Sequence, residues 1–225
     1  MATKYNPSIV KSGLVLYLDA ANSRSYPGTG TTWNDLSGNN NNGTLINGPT
    51  YDGTNGGSLV FNGSNNNIDC GNSTSLNVGN IITLNAWFYT GSVSSYQPIA
   101  AKNTGDPDFG WEFANSSSSF RLTFRPSSTQ VNLNLAGILS INTWYMGTMT
   151  YDNLTAKLYL NGVLRGETST GGPVTLNSTG SLFIGRRIAG NHYNGKISNV
   201  SIYNRVLTAS EVLQNFNATK GRYGL

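Results

Sequence analysis

The sequence predicts an all-β, antiparallel β-sandwich closed by one short C-terminal helix. Three observations carry this reading. First, charged residues make up only 11% of the 225-residue chain, and polarity comes instead from Asn, Ser, Thr and 27 Gly. That composition suits strands and tight turns, not long helices. Second, short apolar or alternating runs recur at sandwich spacing, with turn residues between them. Third, helix signals gather in one stretch. Thr208 stands three residues before Glu211 as a capping box, Val212, Leu213 and Phe216 form an apolar face, and Gly221 is the expected stop.

Taken in order, residues 1–12 read as an N-terminal arm and 13–225 as one domain, because no linker or repeat marks a second. Gly13 to Asp19 is a continuous apolar run and reads as a buried strand. Residues 20–43 read as loop, with Asn22, Pro27, Gly28, Gly30, Gly38 and the run Asn39 to Asn42 as turn formers, and Trp33 and Leu36 as anchors. Strands follow at 58–61, 68–70, 81–89, 98–102, 110–114 and 120–124, with turns at Asn62-Gly63 and Asp106-Pro107. In the last of these strands, Phe120, Leu122 and Phe124 share one face, and Arg121, Thr123 and Arg125 the other. Residues 144–151 and 156–160 read as a hairpin through Asp152-Asn153. Asn161-Gly162 is a type I′ signal leading into 163–166. Strands at 182–185 and 195–203 complete the set. In the closing strand Ile197, Asn199, Ser201 and Tyr203 alternate with Ser198, Val200 and Ile202.

Composition also narrows function. The net charge of +4 is spread without a Lys/Arg run, which argues against nucleic acid as the partner. Cys70 is the single cysteine, so no intrachain disulfide is expected. No stretch has the length and apolarity to insert in a bilayer, and the first twelve residues lack a signal-peptide pattern, so synthesis in a cytosol is expected. The Asn-x-Ser/Thr sites at Asn62, Asn72, Asn153 and Asn177 read as chance in so Asn- and Ser-rich a chain.

The series Leu-Tyr-Leu-Asp-Ala (16–20), Trp-Asn-Asp-Leu-Ser-Gly-Asn (33–39), Asn-Gly-Thr-Leu (42–45) and Leu-Val-Phe-Asn-Gly (59–63) resembles the laminin G-like, concanavalin A-like lectin/glucanase superfamily. So do Ile-Thr-Leu-Asn-Ala-Trp-Phe (82–88), Thr-Tyr-Asp (150–152), Lys-Leu-Tyr-Leu-Asn-Gly (157–162), Leu-Phe-Ile-Gly-Arg (182–186) and the run 195–207. The form is similar to that found in tailed-phage structural proteins. The resemblance implies a jelly roll of two curved antiparallel sheets. Members bind glycans or proteins, often with calcium, and some cleave polysaccharides. The function expected is a non-enzymatic, lectin-like carbohydrate-binding module on a phage virion surface, made in the host cytoplasm. Its partners would be glycans or other virion proteins. Two alternatives stand beside it: a purely structural virion protein, and a glycoside hydrolase or lyase.

The enzyme alternative needs paired carboxylates. Hydrolases of this superfamily carry Glu-x-Asp-x-x-Glu; the nearest approach here, Asp106-x-Asp108-x-x-x-Glu112, has a different final spacing. Lyases of the fold use a His with Tyr, Gln and Arg, and His192 is the only histidine. No catalytic set is assigned. For calcium, the resemblance implies Asp19, the Gly63 carbonyl and Ser198, with Ser198 standing where relatives carry Asp, which makes the site weak. The alternative for Asp19 is hydrogen bonding to loop amides. For a glycan, the side chains able to stack on or hydrogen-bond to a sugar are Tyr96, Trp111, Arg121, Arg125, Arg186, Arg187, His192 and Tyr193. Trp33, Trp87 and Trp144 read as core, and Trp111 shares a face with Phe109 and Phe113, which also suits core. Arg121 and Arg125 should face solvent, either to protect a sheet or to receive an anionic sugar.

Overall fold

A computed structural model describes residues 7–104, 110–125, 130–172, 179–188 and 190–225. The expected Asp106-Pro107 turn, Asp108, Phe109, Asn177 and the side chain of Arg125 lie outside the described residues.

Among the described residues sixteen strands, numbered in chain order, form two antiparallel sheets of eight. The first sheet runs β14 (Val163–Ser169), β13 (Thr155–Leu160), β12 (Trp144–Asp152), β7 (Ile81–Thr90), β16 (Asn194–Tyr203), β5 (Ser58–Asn62), β4 (Thr50–Asp52), and β1 (Leu14–Asp19) also pairs with β16. The second runs β11 (Val131–Leu135), β10 (Ser119–Arg125), β9 (Gly110–Ser116), β8 (Tyr96–Asn103), β15 (Leu182–Ile184), β6 (Asn67–Asp69), β3 (Gly43–Ile46), β2 (Thr32–Trp33). The expected sandwich is therefore observed. The strands β2, β3, β4 and β11 were not among those expected; the first three are two to four residues long and sit in polar, Gly-rich sequence.

The inner faces meet in one core that includes Leu16, Phe61, Leu84, Phe88, Phe113, Phe120 and Ile184. Gly147 of β12 marks how closely the sheets approach. A Cβ there would lie 2.4 Å from Phe120 Cζ and 2.8 Å from Phe113 Cζ, so no side chain fits without moving both rings. The Asn161-Gly162 turn forms as expected, with φ of 53° and 79°. Asn62-Gly63 is not a hairpin turn: β5 lies in the first sheet and β6 in the second, so the chain crosses the sandwich there. Asn62 Oδ1 secures the crossing by accepting from the amides of Ser64, Asn65 and Asn66. In β16 the strict alternation breaks at a register shift between Ile197 and Asn199, which leaves Ile197 and Val200 both in the core.

A second cluster covers the outer face of the first sheet. Trp87, Trp144, Met146, Tyr159 and Tyr203 pack there beneath helix α1 (Ala209–Thr219). The capping box is present: Glu211 N donates to Thr208 Oγ1, and Thr208 N to Glu211 Oε2. Arg205 grips the same carboxylate with both terminal nitrogens. The helix buries Val212, Asn215 and Thr219. Leu213 was expected on that face but is 44% exposed, because one residue turns a helix by about 100° and carries it to the margin. Gly221 does not stop the chain. A 3-10 turn continues through Lys220–Tyr223, and the left-handed residue is Gly224. That extra turn brings the Tyr223 ring to 3.9 Å from Trp87, centroid to centroid.

Residues 8–12 are not a free arm. Val10 N donates to Asn215 Oδ1, Tyr203 Oη donates to Val10 O, and Gln214 and Arg205 donate to the carbonyls of Ser8 and Ser12. Among the described residues no helix is long and apolar enough to cross a membrane.

Two outcomes follow from this packing. Gly147→Ala should cost about 1–3 kcal/mol by overpacking, read as a lower urea midpoint; an unchanged midpoint contradicts the close approach. The second concerns acid. Lys196 holds the Asp52 carboxyl down to about 2, and Arg205 holds Glu211 down to about 2. Both carboxyls are lowered in the fold, so the stability they supply is complete above about pH 4.5 and is lost as pH falls toward 2. Urea midpoints measured from pH 6 to pH 2.5 should fall, and Glu211→Gln should shrink the fall.

Candidate functional site

The outer face of the second sheet is not covered by the helix. Strand register places one row of side chains directly opposite one another across it, from Asn132 through Thr123, Glu112, Ala101, Phe183 and Asp69 to Thr44 and Thr32. Their sequence neighbours, such as Leu122, Phe113, Ile184 and Ile68, point into the core. The row ends at an open depression of about 370 Å³ bordered by Thr44, Ile46, Asp69 and Gly71.

Glu112 is the centre of this face. It is 1% exposed although its strand position points away from the core. A buried carboxylate needs donors around it, and these include three from described residues. Tyr96 Oη donates to Oε2, Asn103 Nδ2 to Oε1 at 2.9 Å, and Arg187 Nη1 to Oε1 at 3.4 Å. Burial and the Glu112 charge raise the Tyr96 phenol well above its ordinary value, which keeps it a donor. The guanidinium groups of Arg121 and Arg187 lie over the Tyr96 ring at 5.7 and 5.4 Å. Arg121 is itself fixed, donating from Nε to Thr123 Oγ1 and from Nη2 to Asn132 Oδ1.

The loop after β15 closes one side. Gly185 has φ +78°, and a Cβ would lie 2.4 Å from the Phe61 ring, so glycine alone fits this bend. The bend aims two arginines back over the sheet. Arg187 reaches Glu112, with Nε held by Asn191 Oδ1 at 2.9 Å. Arg186 lies over the Phe183 ring at 4.2 Å, and its backbone pairs with His192. Burial lowers the His192 pKa, so its ring is neutral at neutral pH.

The structure therefore brings Tyr96, Arg121, Arg186 and Arg187 to one face, with His192 bridged through its backbone to Arg186. It removes two residues from the expected glycan set. Trp111 is on the inner face and 2% exposed, as its shared parity with Phe113 allowed. Tyr193 is fully buried, edge-on to Phe61, and donates its hydroxyl to Tyr89 O. Glu112, Phe183, Asn103 and Asn132 are the residues that sequence reasoning did not assign. Glu112 stood in view as a stray acid, but its place in the row depends on register with four other strands.

The expected calcium ligands do not form a site. Asp19 is buried and neutralised: Arg222 Nη1 lies 2.9 and 3.0 Å from its two oxygens, Tyr17 Oη donates to Oδ2, and Ala21 N to Oδ1. Ser198 Oγ donates to Gly57 O and accepts from Tyr223 Oη. Gly63 pairs with Tyr193, five residues from Ser198 along β16, about 16 Å away at strand rise. A hard cation needs several oxygen ligands around one point, and these residues do not fit it. Among the described residues no three of His, Cys, Asp and Glu gather as a metal group.

Nor does Glu112 have a partner acid on the row. Asp69 is three strands away, about 14 Å, beyond the 5–9.5 Å range of glycosidase carboxylate pairs. Its Oδ1 is taken by Gly71 N.

A model of the concanavalin A-like lectin/glucanases superfamily matches residues 61–213 of the sequence. No curated protein sequence matches the chain. Among solved structures, the binding domain of Paraclostridial mosquitocidal protein 1 is similar with a TM-score of 0.73 and 18% identity, over 92% of this chain and 52% of that one. The botulinum neurotoxin serotype G binding domain gives 0.71 and 19%, over 90% and 50%. This chain thus spans about half the length of those toxin domains. Domain 4 of AbnA, a GH43 extracellular arabinanase from Geobacillus stearothermophilus solved with arabinotriose, gives 0.72 and 19%, over 91% and 98%. At these identities the structural likenesses speak for the fold, two antiparallel sheets packed as a jelly roll. The sequence match adds the lineage: the chain belongs to the concanavalin A-like lectin/glucanases superfamily.

Proposed function

We propose that this chain is a non-catalytic, lectin-like module that binds glycans on the outer face of its second sheet. The observation that supports it is the pre-set polar face. Tyr96, Arg121 and Arg187 are held around the buried Glu112 by hydrogen bonds already made, so little ordering remains to be spent on binding. Asn132 and the arginines offer planar polar groups for sugar hydroxyls. The non-catalytic part rests on the lack of a second described carboxylate within reach of Glu112 along the row. Similar domains lend analogy: one was solved with arabinotriose, and botulinum neurotoxin DC binding domains were solved with SialylT and with rat synaptotagmin II.

A second reading is a packing role among virion subunits. Val163, Leu164 and Leu213 are exposed apolar side chains, and the Gly162 turn that leads into β14, with Val163 and Leu164, lies against Leu213 and Phe216 of α1. A patch of this kind suits a protein neighbour. Placement on a phage virion surface, after synthesis in a host cytoplasm, belongs to the proposal and rests on the sequence resemblance. Peptide mass spectrometry of purified virions tests it, and absence of the chain contradicts it.

For the main reading, a glycan array should give hits with the wild-type chain. Arg121→Ala should weaken the best hit by about 1.4 kcal/mol, tenfold in Kd, with the fold intact by circular dichroism. No hit at millimolar sugar favours the packing role. Incubation with β-glucans, agars and alginates should yield no reducing ends or unsaturated products. Turnover that disappears in Glu112→Gln overturns the non-catalytic reading.

A further inference from the structure

Three arginines reach the outer face of the second sheet from the described residues, and two of them are tied down by side-chain hydrogen bonds. Arg121 serves Thr123 and Asn132, and Arg187 serves Glu112 and Asn191. Arg186 differs. Its guanidinium makes no hydrogen bond or ion pair with any described residue, and its Nε is buried without an acceptor. A guanidinium carries five donors in a rigid fork, and a buried donor left unpaired is unfavourable. The group is nonetheless held in place. It lies over the Phe183 ring at 4.2 Å, and the Arg186–His192 backbone bridge closes the loop behind it. Asp69, opposite Phe183 in the row, already receives Gly71 N.

We propose that Arg186, held over the buried Phe183 ring, anchors an acidic group of the glycan, a carboxylate or a sulfate ester. This deepens the glycan reading and rests on it. The fork accepts two oxygens of a planar or tetrahedral oxyanion in a bidentate contact. An anionic sugar was expected at Arg121 and Arg125; Arg121 is committed to its own strand neighbours, and the side chain of Arg125 lies outside the described residues.

The test uses two matched pairs of probes: oligogalacturonate with its methyl ester, and dextran sulfate with dextran. Calorimetry is run on the wild-type chain, Arg186→Ala, Arg186→Lys and Arg24→Ala. Arg24 is exposed in the loop after β1 of the other sheet, so it removes the same charge elsewhere. The acidic member of at least one pair should bind at least about tenfold tighter, and Arg186→Ala should abolish that preference while Arg24→Ala keeps it. Arg186→Lys should restore only part of it, since a lysine makes no bidentate contact. Preference confined to the uronate pair assigns a carboxylate, and preference confined to the dextran pair assigns a sulfate. Equal binding of acidic and neutral members overturns the anchor, as does a preference that survives Arg186→Ala or falls equally in Arg24→Ala. Failure of every probe and every array glycan to bind overturns the glycan reading itself. Unchanged melting temperatures across the variants separate loss of binding from loss of fold.

Discussion

The packing of Trp87 against the C-terminal helix fixes which face of this molecule can meet a ligand. Trp87 sits on the outer face of the first sheet, stacked between Phe216 at 5.7 Å and Tyr223 at 3.9 Å, with its indole N–H donated to Thr219. A sheet with aromatic side chains on both faces must be covered on both. The core covers one side, and α1 with residues 8–12 covers the other. The second sheet bears no such burden. On its outer face Thr123, Glu112 and Phe183 are buried beneath Tyr96, Arg121, Arg186 and Arg187, and these polar side chains are the ones left to meet a partner.

The closing segment depends on buried polar pairs as well as on rings. Arg222 meets Asp19, Tyr223 meets Ser198, and Asn215 meets both Val10 and Tyr203. Removing one member of such a pair leaves the other buried and unpaired, which costs more than the pair contributes. Asp19 and Ser198, two of the positions that the family resemblance pointed to for calcium, are here parts of this closure. In this chain an arginine at the C-terminus supplies the positive charge beside Asp19.

Much of the fold was legible because it was written in local pattern. Phe120, Leu122 and Phe124 alternate, Asn161-Gly162 turns the chain, and Thr208 with Glu211 opens the helix; each signal sits within a few residues. Val131 to Leu135 also alternates, but it follows a polar stretch and passed unread. The short strands β2, β3 and β4 gain their identity from pairing and not from their own residues. The binding face was legible only in part. Tyr96, Arg121, Arg186 and Arg187 are residue types that suggest recognition anywhere. Glu112 and Phe183 become central through register across β9, β8 and β15, and register is a property of the folded sheet. Tyr193 misled for the converse reason: a Tyr in a polar loop sequence lies under Gly185 and Phe61, where the next strand begins.

The central claim is that the outer face of the second sheet is the ligand face. Its most direct measurement is a two-dimensional amide NMR titration of the labelled chain with the best-bound oligosaccharide. The account predicts that the largest shifts fall on Tyr96, Glu112, Arg121, Phe183, Arg186 and Arg187, with little change at Trp87, Asn215 or Tyr223. Shifts centred on α1 and the first sheet, with the Glu112 face unmoved, would contradict it.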